Sequence, residues 1–168
     1  YYEQLWRNIV TVKIQNQSKA YFRLTNDLEG TRMIEEFSTG IMNGDKSNRE
    51  AHAAKVYFNL LMGTSFSRGN EDILLNSGLD YGYAVLRGYI ARVCVGYGLN
   101  TQIGIHHKNE YNRFNLVDDL MEPLRPLIDI VAYEVMKNEP YFTAEHRRRL
   151  VNVLNMKILY IKRCLYVI

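Results

Sequence analysis

Two adjacent histidines, His106 and His107, leave a glycine-containing loop, and three acids follow them: Asp118, Asp119 and Glu122. The stretch from Gly104 to Pro123 predicts a helix after the loop. At about 100° per residue, Phe114, Val117, Leu120, Met121, Leu124 and Ile128 gather on one side of that helix. The three carboxylates fall on the other side, within about 100° of each other. Acids so placed repel unless a cation sits among them. Imidazole nitrogen and carboxylate oxygen suit a divalent ion such as Mn²⁺ or Mg²⁺. The plainer alternative is a solvated acidic face with a capping histidine pair, and acids alone favour it. Spacing does not choose between His106 and His107, or between Asp118 and Asp119.

A fourth carboxylate adds weight to the metal reading. Ser47-Asn48-Arg49-Glu50 has the capping-box pattern, which gives Glu50 a structural task. Glu50 also shares a helical stripe with Ala54, Tyr57 and Leu61, and a carboxylate facing apolar neighbours needs a partner or a cation. Cap and ligand both remain open, and one carboxylate cannot easily serve as both. His52, Lys55 and Asn59 lie opposite, which makes His52 a surface residue.

The elements that must position these groups are helical. Residues 3–24 read as a helix with Leu5, Ile9, Val12, Ile14 and Phe22 as apolar points and Trp6 beside them. Gln15, Asn16, Gln17 and Ser18 make one side polar, as for packing against a partner or another domain. A second helix spans about 26–38, and Thr39-Gly40 and Asn43-Gly44-Asp45 break it. The Glu50 helix covers about 48–62, and a loop with Arg68 follows. Asn76 or Ser77 is expected to cap a long helix running to about Tyr97. Gly82 and Gly88 inside it cost about 1 kcal/mol each against Ala and imply close approach of a neighbour. Arg87 on this largely apolar helix needs an anion, a carboxylate or a phosphate. Pro123 and Pro126 bend or restart the central helix. Thr143-Ala144-Glu145-His146 caps another helix, and Arg147-Arg148-Arg149 reads as a solvated face. The β-branched and aromatic tail predicts a short hairpin, with Lys162-Arg163 a poor turn between its strands.

The 168 residues are enough for one domain with a real core. A net charge of +3 does not announce nucleic acid, so the distribution of basic residues matters more. Cys94 and Cys164 lack metal-type spacing and fit free thiols in a reducing compartment, the cytoplasm. No run approaches the roughly 20 apolar residues of a membrane span, and no signal peptide is visible. The sequence begins at Tyr1 rather than Met, as a fragment would.

Three blocks together resemble one family: Asn48-Arg49-Glu50-Ala51-His52-Ala53-Ala54-Lys55-Val56-Tyr57-Phe58, then Leu79 to Arg92, then Gly104 to Pro126. They are similar to the CRISPR-associated endonuclease of spacer acquisition, an integrase, in its type II branch. The resemblance covers about residues 43–155. It implies a mainly α, bundle-like catalytic lobe, the C-terminal part of such proteins. Residues 1–45 are then connecting helices leading into the lobe, 46–156 the helical catalytic core, and 157–168 the hairpin tail. The N-terminal β domain of the family is absent from the sequence.

The resemblance further implies that Glu50, His107 and Glu122 bind Mg²⁺ or Mn²⁺ and that Asp119 is an additional catalytic acid orienting a ligand. It implies antiviral defence by transesterification, in which a 3′-hydroxyl of foreign DNA attacks a phosphodiester at a CRISPR repeat. Arg49, Arg87, Lys108, Arg113 and Arg125 become candidate contacts to DNA phosphates. The implied partners are double-stranded DNA, a second copy in a homodimer, and a small adaptation protein in a larger integration complex. In type II systems a DNA-end-binding protein and the effector nuclease join them. The rivals are a non-catalytic helical DNA-binding or scaffold module and another helical metal-dependent phosphohydrolase. A carboxylate di-iron bundle needs Glu-x-x-His on two helices, and a His-Asp phosphohydrolase needs adjacent His and Asp. The sequence contains neither.

Overall fold

The computed structural model describes residues 1–70, 73–155, 158–161 and 164–167. Among the described residues seven α-helices dominate: α1 (Tyr2–Thr25), α2 (Leu28–Glu36), α3 (Arg49–Met62), α4 (Leu74–Gly96), α5 (Asn115–Met121), α6 (Arg125–Met136) and α7 (Ala144–Val151). A mainly α fold is what the periodicity predicts. The tail forms an antiparallel pair, β1 (Ile158–Ile161) and β2 (Cys164–Val167), with Ile158 opposite Val167 and Ile161 opposite Cys164. The Lys162-Arg163 turn lies outside the described residues. Among the described residues no helix is long and apolar enough to cross a membrane.

The helix that organises the rest is α6. Ten of its twelve residues are buried, from Pro126 to Tyr133 and then Val135 and Met136. A helix apolar on nearly every side must be enclosed, and α6 lies between α1 on one flank and α4 on the other. Each fully enclosed aliphatic side chain there, Ile128 for example, contributes about 2 kcal/mol. Against α1 pack α2, α3 and the 3-10 turn Glu122–Leu124; against α4 pack α5 and α7. Gly82 lets α4 approach α6, since a Cβ there would stand 2.4 Å from Ile128 Cγ2. Gly88 does not do the same, because nothing lies within 4 Å of its would-be Cβ.

Several sequence expectations change. The polar run of α1 turns inward: Asn16, Gln17 and Ser18 are buried against this chain's own elements, not left for a partner. Phe22, expected in the apolar stripe, is partly exposed. Asn76 does not cap α4, which starts at Leu74; its amide donates to the carbonyls of Ser67 and Asn70, tying down the preceding loop. Neither does Glu50 close a capping box. Asn48 makes no side-chain cap bond, and the Asp45 carboxylate accepts from the backbone N–H of Arg49 and Glu50 at 2.9 Å each. That leaves the Glu50 carboxylate uncommitted to the helix end.

Candidate active site

The break at Pro123 creates the site. After α5 the chain tightens into the 3-10 turn Glu122–Leu124 before α6 begins, and this turn faces α1. Asn16 of α1 secures it by donating to the Pro123 carbonyl at 2.7 Å. The acidic face of α5 points inward, which sets aside the alternative of a solvated face: Asp119 is 0% and Glu122 5% exposed. The apolar residues Val117 and Met121 are buried as well, so α5 is enclosed on two sides, whereas Phe114 at its start is exposed.

Asp119 organises the loop before α5. Its Oδ2 accepts from the N–H of Ile105 at 2.5 Å and of His106 at 2.9 Å. Its Oδ1 accepts from the N–H of His107 at 3.3 Å and faces His107 Nδ1 at 2.6 Å. Gly104 makes room for this wrap, since a Cβ there would meet the His107 carbonyl at 2.2 Å and Asp119 Oδ2 at 2.9 Å. Burial alone would raise the Asp119 pKa; the His107 bond and the three N–H donors outweigh it and hold the carboxyl below its usual range. An ionised Asp119 can only accept, so His107 Nδ1 donates to it and Nε2 is the ring nitrogen left outside this contact. The bond to Asp119 is the main cause raising the His107 pKa, with burial opposing and the charges of Asp119, Glu122 and Asp118 adding to it.

Geometry separates the histidines. His106 stacks on Trp6 of α1, with ring centres 4.1 Å apart and planes 4° from parallel. His107 turns to Asp119 instead. The two aspartates separate likewise, because Asp118 forms a bidentate pair with Arg87 at 2.6 Å and accepts from Asn112 at 2.7 Å. Arg87 therefore has its anion from within the chain, and it also lies over the Phe114 ring.

The two glutamates meet on α1. Lys13 donates to Glu50 Oε1 and to Glu122 Oε2, the latter at 2.5 Å. Arg125 reaches the other Glu122 oxygen at 3.0 Å and stacks on Tyr83. Burial pushes the Glu50 pKa up, but Lys13 outweighs it, with smaller help from Arg125 and His107, and the carboxyl is held below its ordinary value. Glu50 and Glu122 are thus coupled around one ammonium group, and His107 interacts with both glutamates through charge. Behind them, Tyr83 donates to the buried Asp129, whose pKa burial raises to about 6.

The family described as CRISPR associated protein Cas1 matches residues 3–154. The chain belongs to that family. It is 39% identical over 159 residues to the CRISPR-associated endonuclease Cas1 of Neisseria meningitidis serogroup C (strain 8013), covering 93% of this chain and 52% of that protein. To a Cas1 of Francisella tularensis subsp. novicida (strain U112) it is 28% identical over 173 residues, covering 89% and 54%. The chain spans about half the length of the curated relatives it matches. Among solved structures, the fold matches a chain of a Cas6-RT-Cas1–Cas2 complex with TM-score 0.73 at 20% identity, covering 92% of this chain and 21% of that one. It matches a casposase bound to integration product with TM-score 0.72 at 19% identity, covering 95% and 54%.

The residues singled out in this Cas1-family sequence fall into two pairs, Glu50 with Glu122 and His107 with Asp119. Among the described residues, no three His, Cys, Asp or Glu side chains stand ready to hold a metal ion, and the Lys13 ammonium bridges Glu50 and Glu122. The donor chemistry nevertheless fits a divalent cation: two carboxylates already converge on a positive charge, and an imidazole with its second nitrogen tied to a carboxylate is a common ligand arrangement. His52 is exposed, as expected. His146 is buried and closes a capping box with Thr143. Lys13, Asn16, Trp6 and Asp45 were missed in the sequence. Lys13 carried a signal, a lysine inside the stripe Trp6, Val10, Ile14, Gln17, where an unpaired ammonium would be costly.

Proposed function

We propose that this chain is the DNA-processing lobe of a spacer-acquisition integrase that joins foreign DNA into a CRISPR array with Mg²⁺ or Mn²⁺ as cofactor. The observation that carries the reading is the convergence of Glu50 and Glu122 on one cation beside a histidine oriented by Asp119. The relatives named as endonucleases and the fold shared with a casposase bound to integration product support it.

Glu50, Glu122 and His107 Nε2 would hold the cation, which when bound supplies Lewis acidity toward a phosphodiester and lowers the pKa of a hydroxyl nucleophile. Asp119 holds the His107 proton on Nδ1 and so keeps Nε2 directed at the site. The 3′-oxygen of the incoming strand forms a bond to phosphorus. The bond from phosphorus to the 3′-oxygen of the repeat strand breaks, and that oxygen leaves as a hydroxyl after taking a proton. Lys108 and Arg113 are exposed on the loop around His107 and form no ion pair among the described residues, so they are the cations best placed to meet DNA phosphates. Arg49, Arg87 and Arg125 are further contacts in this proposal. A homodimer, a small adaptation protein, and in a type II setting an end-binding protein and effector nuclease complete the assembly. The neighbour taken from a Cas6-RT-Cas1–Cas2 complex supports assembly with partner proteins.

One observation favours a second reading, a helical scaffold without catalysis: Lys13, Arg87 and Arg125 already neutralise Glu50, Asp118 and Glu122. Strand transfer and nuclease activity on a branched DNA substrate, with and without Mn²⁺, separates the two. Joined product that requires Mn²⁺ and disappears in Glu122→Ala is expected. Its absence at saturating Mn²⁺ with an intact DNA complex selects the scaffold.

A further inference from the structure

Lys13 has no task in the reaction as just described, yet it is 6% exposed and touches two carboxylates that lie 37 and 109 residues away in the sequence. Burying an ammonium requires paired acceptors. Two ionised carboxylates brought together repel unless a cation sits between them. Each requirement answers the other, and the result is a centre that is already charge-compensated without metal. The position is also one of competition, since Oε1 of Glu50 and Oε2 of Glu122 both point at Nζ.

We infer that Lys13 is a built-in counter-cation, holding the Glu50–Glu122 pair together in the metal-free protein and leaving it when a divalent ion enters. This rests on the metal reading proposed above. The side chain of Glu50 is 27% exposed while those of Lys13 and Glu122 are 8% and 7% exposed, so the opening lies on the Glu50 side. The flexible four-carbon stem of Lys13 lets its ammonium swing out of the pair without movement of α1, whose backbone is fixed by Trp6, Val10 and Ile14 in the core. The arrangement keeps the two carboxylates preorganised at the cost of weaker metal affinity.

The test is Mn²⁺ binding, followed by the electron paramagnetic resonance signal of the free ion, in the parent protein and in Lys13→Met. Removing the competing ammonium should tighten Mn²⁺ binding by about tenfold or more, the scale of one charged hydrogen-bonded contact. A residue that merely supported the fold would give weaker binding when removed. Equal or weaker binding in Lys13→Met, with Mn²⁺ bound by the parent, overturns the inference and leaves the metal reading standing. Absence of binding in both proteins overturns the metal reading and the inference with it. A second measurement needs no variant. Reductive methylation of Lys13 in the parent, read by peptide mass spectrometry against the exposed Lys46 and Lys55 as standards, should speed up severalfold at saturating Mn²⁺. An unchanged rate under saturation shows that Lys13 stays in place and overturns the inference.

Discussion

A carboxamide at position 50 keeps the size of the glutamate and removes its charge. As a cap or as an unpaired inward carboxylate, Glu50 would tolerate that change or be relieved by it. The structure reverses the sign, because Asp45 caps α3 and Glu50 pairs with Lys13. Glu50→Gln should therefore lower metal-free stability by about 1–3 kcal/mol, leaving a buried ammonium with one charged partner. Thermal melts without metal check this, and an unchanged melting temperature removes the ion pair from the account. Asp129 makes an opposite prediction. Its pKa is raised to about 6 from an ordinary 3.8. The unfolded chain thus ionises it first, and stability falls as pH rises through that window. Above it the buried charge costs about 3 kcal/mol. Asp129→Asn should match the parent near pH 3.5 and exceed it increasingly up to about pH 6.5 in urea titrations. A constant difference across that range would count against a buried ionised Asp129. At this scale Glu50 was legible from its stripe. Lys13 was not read, because its partners come from elements whose placement no local pattern reveals.

Element boundaries were legible where periodicity and punctuation agreed. The expected helix over 48–62 is α3 at Arg49–Met62, and Pro123 marks the turn that separates α5 from α6. Orientation was harder. Of the expected apolar stripe, Val117 and Met121 are buried in α5 while Phe114 is exposed, and burial of the acidic side depends on α1 passing opposite, a contact between residues more than 100 apart in sequence. The glycines of α4 show the same limit: Gly82 and Gly88 look alike in sequence, but only Gly82 faces α6. Gly82→Ala should destabilise by about 1–3 kcal/mol, since Ile128 must shift. Gly88→Ala, exposed within the helix, should stabilise by about 0.5–1 kcal/mol through helix propensity alone. Urea melts of the two variants should move in opposite directions, and movement in the same direction would contradict the packing of α4 on α6.

For the whole molecule the question is where the positive charge is free to act. The chain carries 21 Lys and Arg against 18 Asp and Glu, so no large excess exists, and several of the cations nearest the site are already used. Arg87 is held by Asp118, Arg125 by Glu122 and Lys13 by both glutamates. Sequence alone put Arg49, Arg87, Lys108, Arg113 and Arg125 forward together as phosphate contacts, with a carboxylate the other anion open to Arg87, because the partner of each across the fold is invisible to it. The structure ranks them: Lys108 and Arg113 are exposed without an ion pair among the described residues. Duplex DNA gives up about 0.9 counterion for each phosphate a protein neutralises, so log affinity against log salt has a slope that counts contacts. Lys108→Ala and Arg113→Ala should each reduce that slope by about 0.9, and the double variant by about twice as much, with melting temperatures unchanged. Arg87→Ala should behave differently, lowering the melting temperature because Asp118 and Asn112 lose their shared partner. Fluorescence anisotropy of a labelled duplex at several salt concentrations provides the slopes. If both loop variants keep the parent slope, the loop carrying His107 does not track phosphates, and DNA must approach the glutamates from another side.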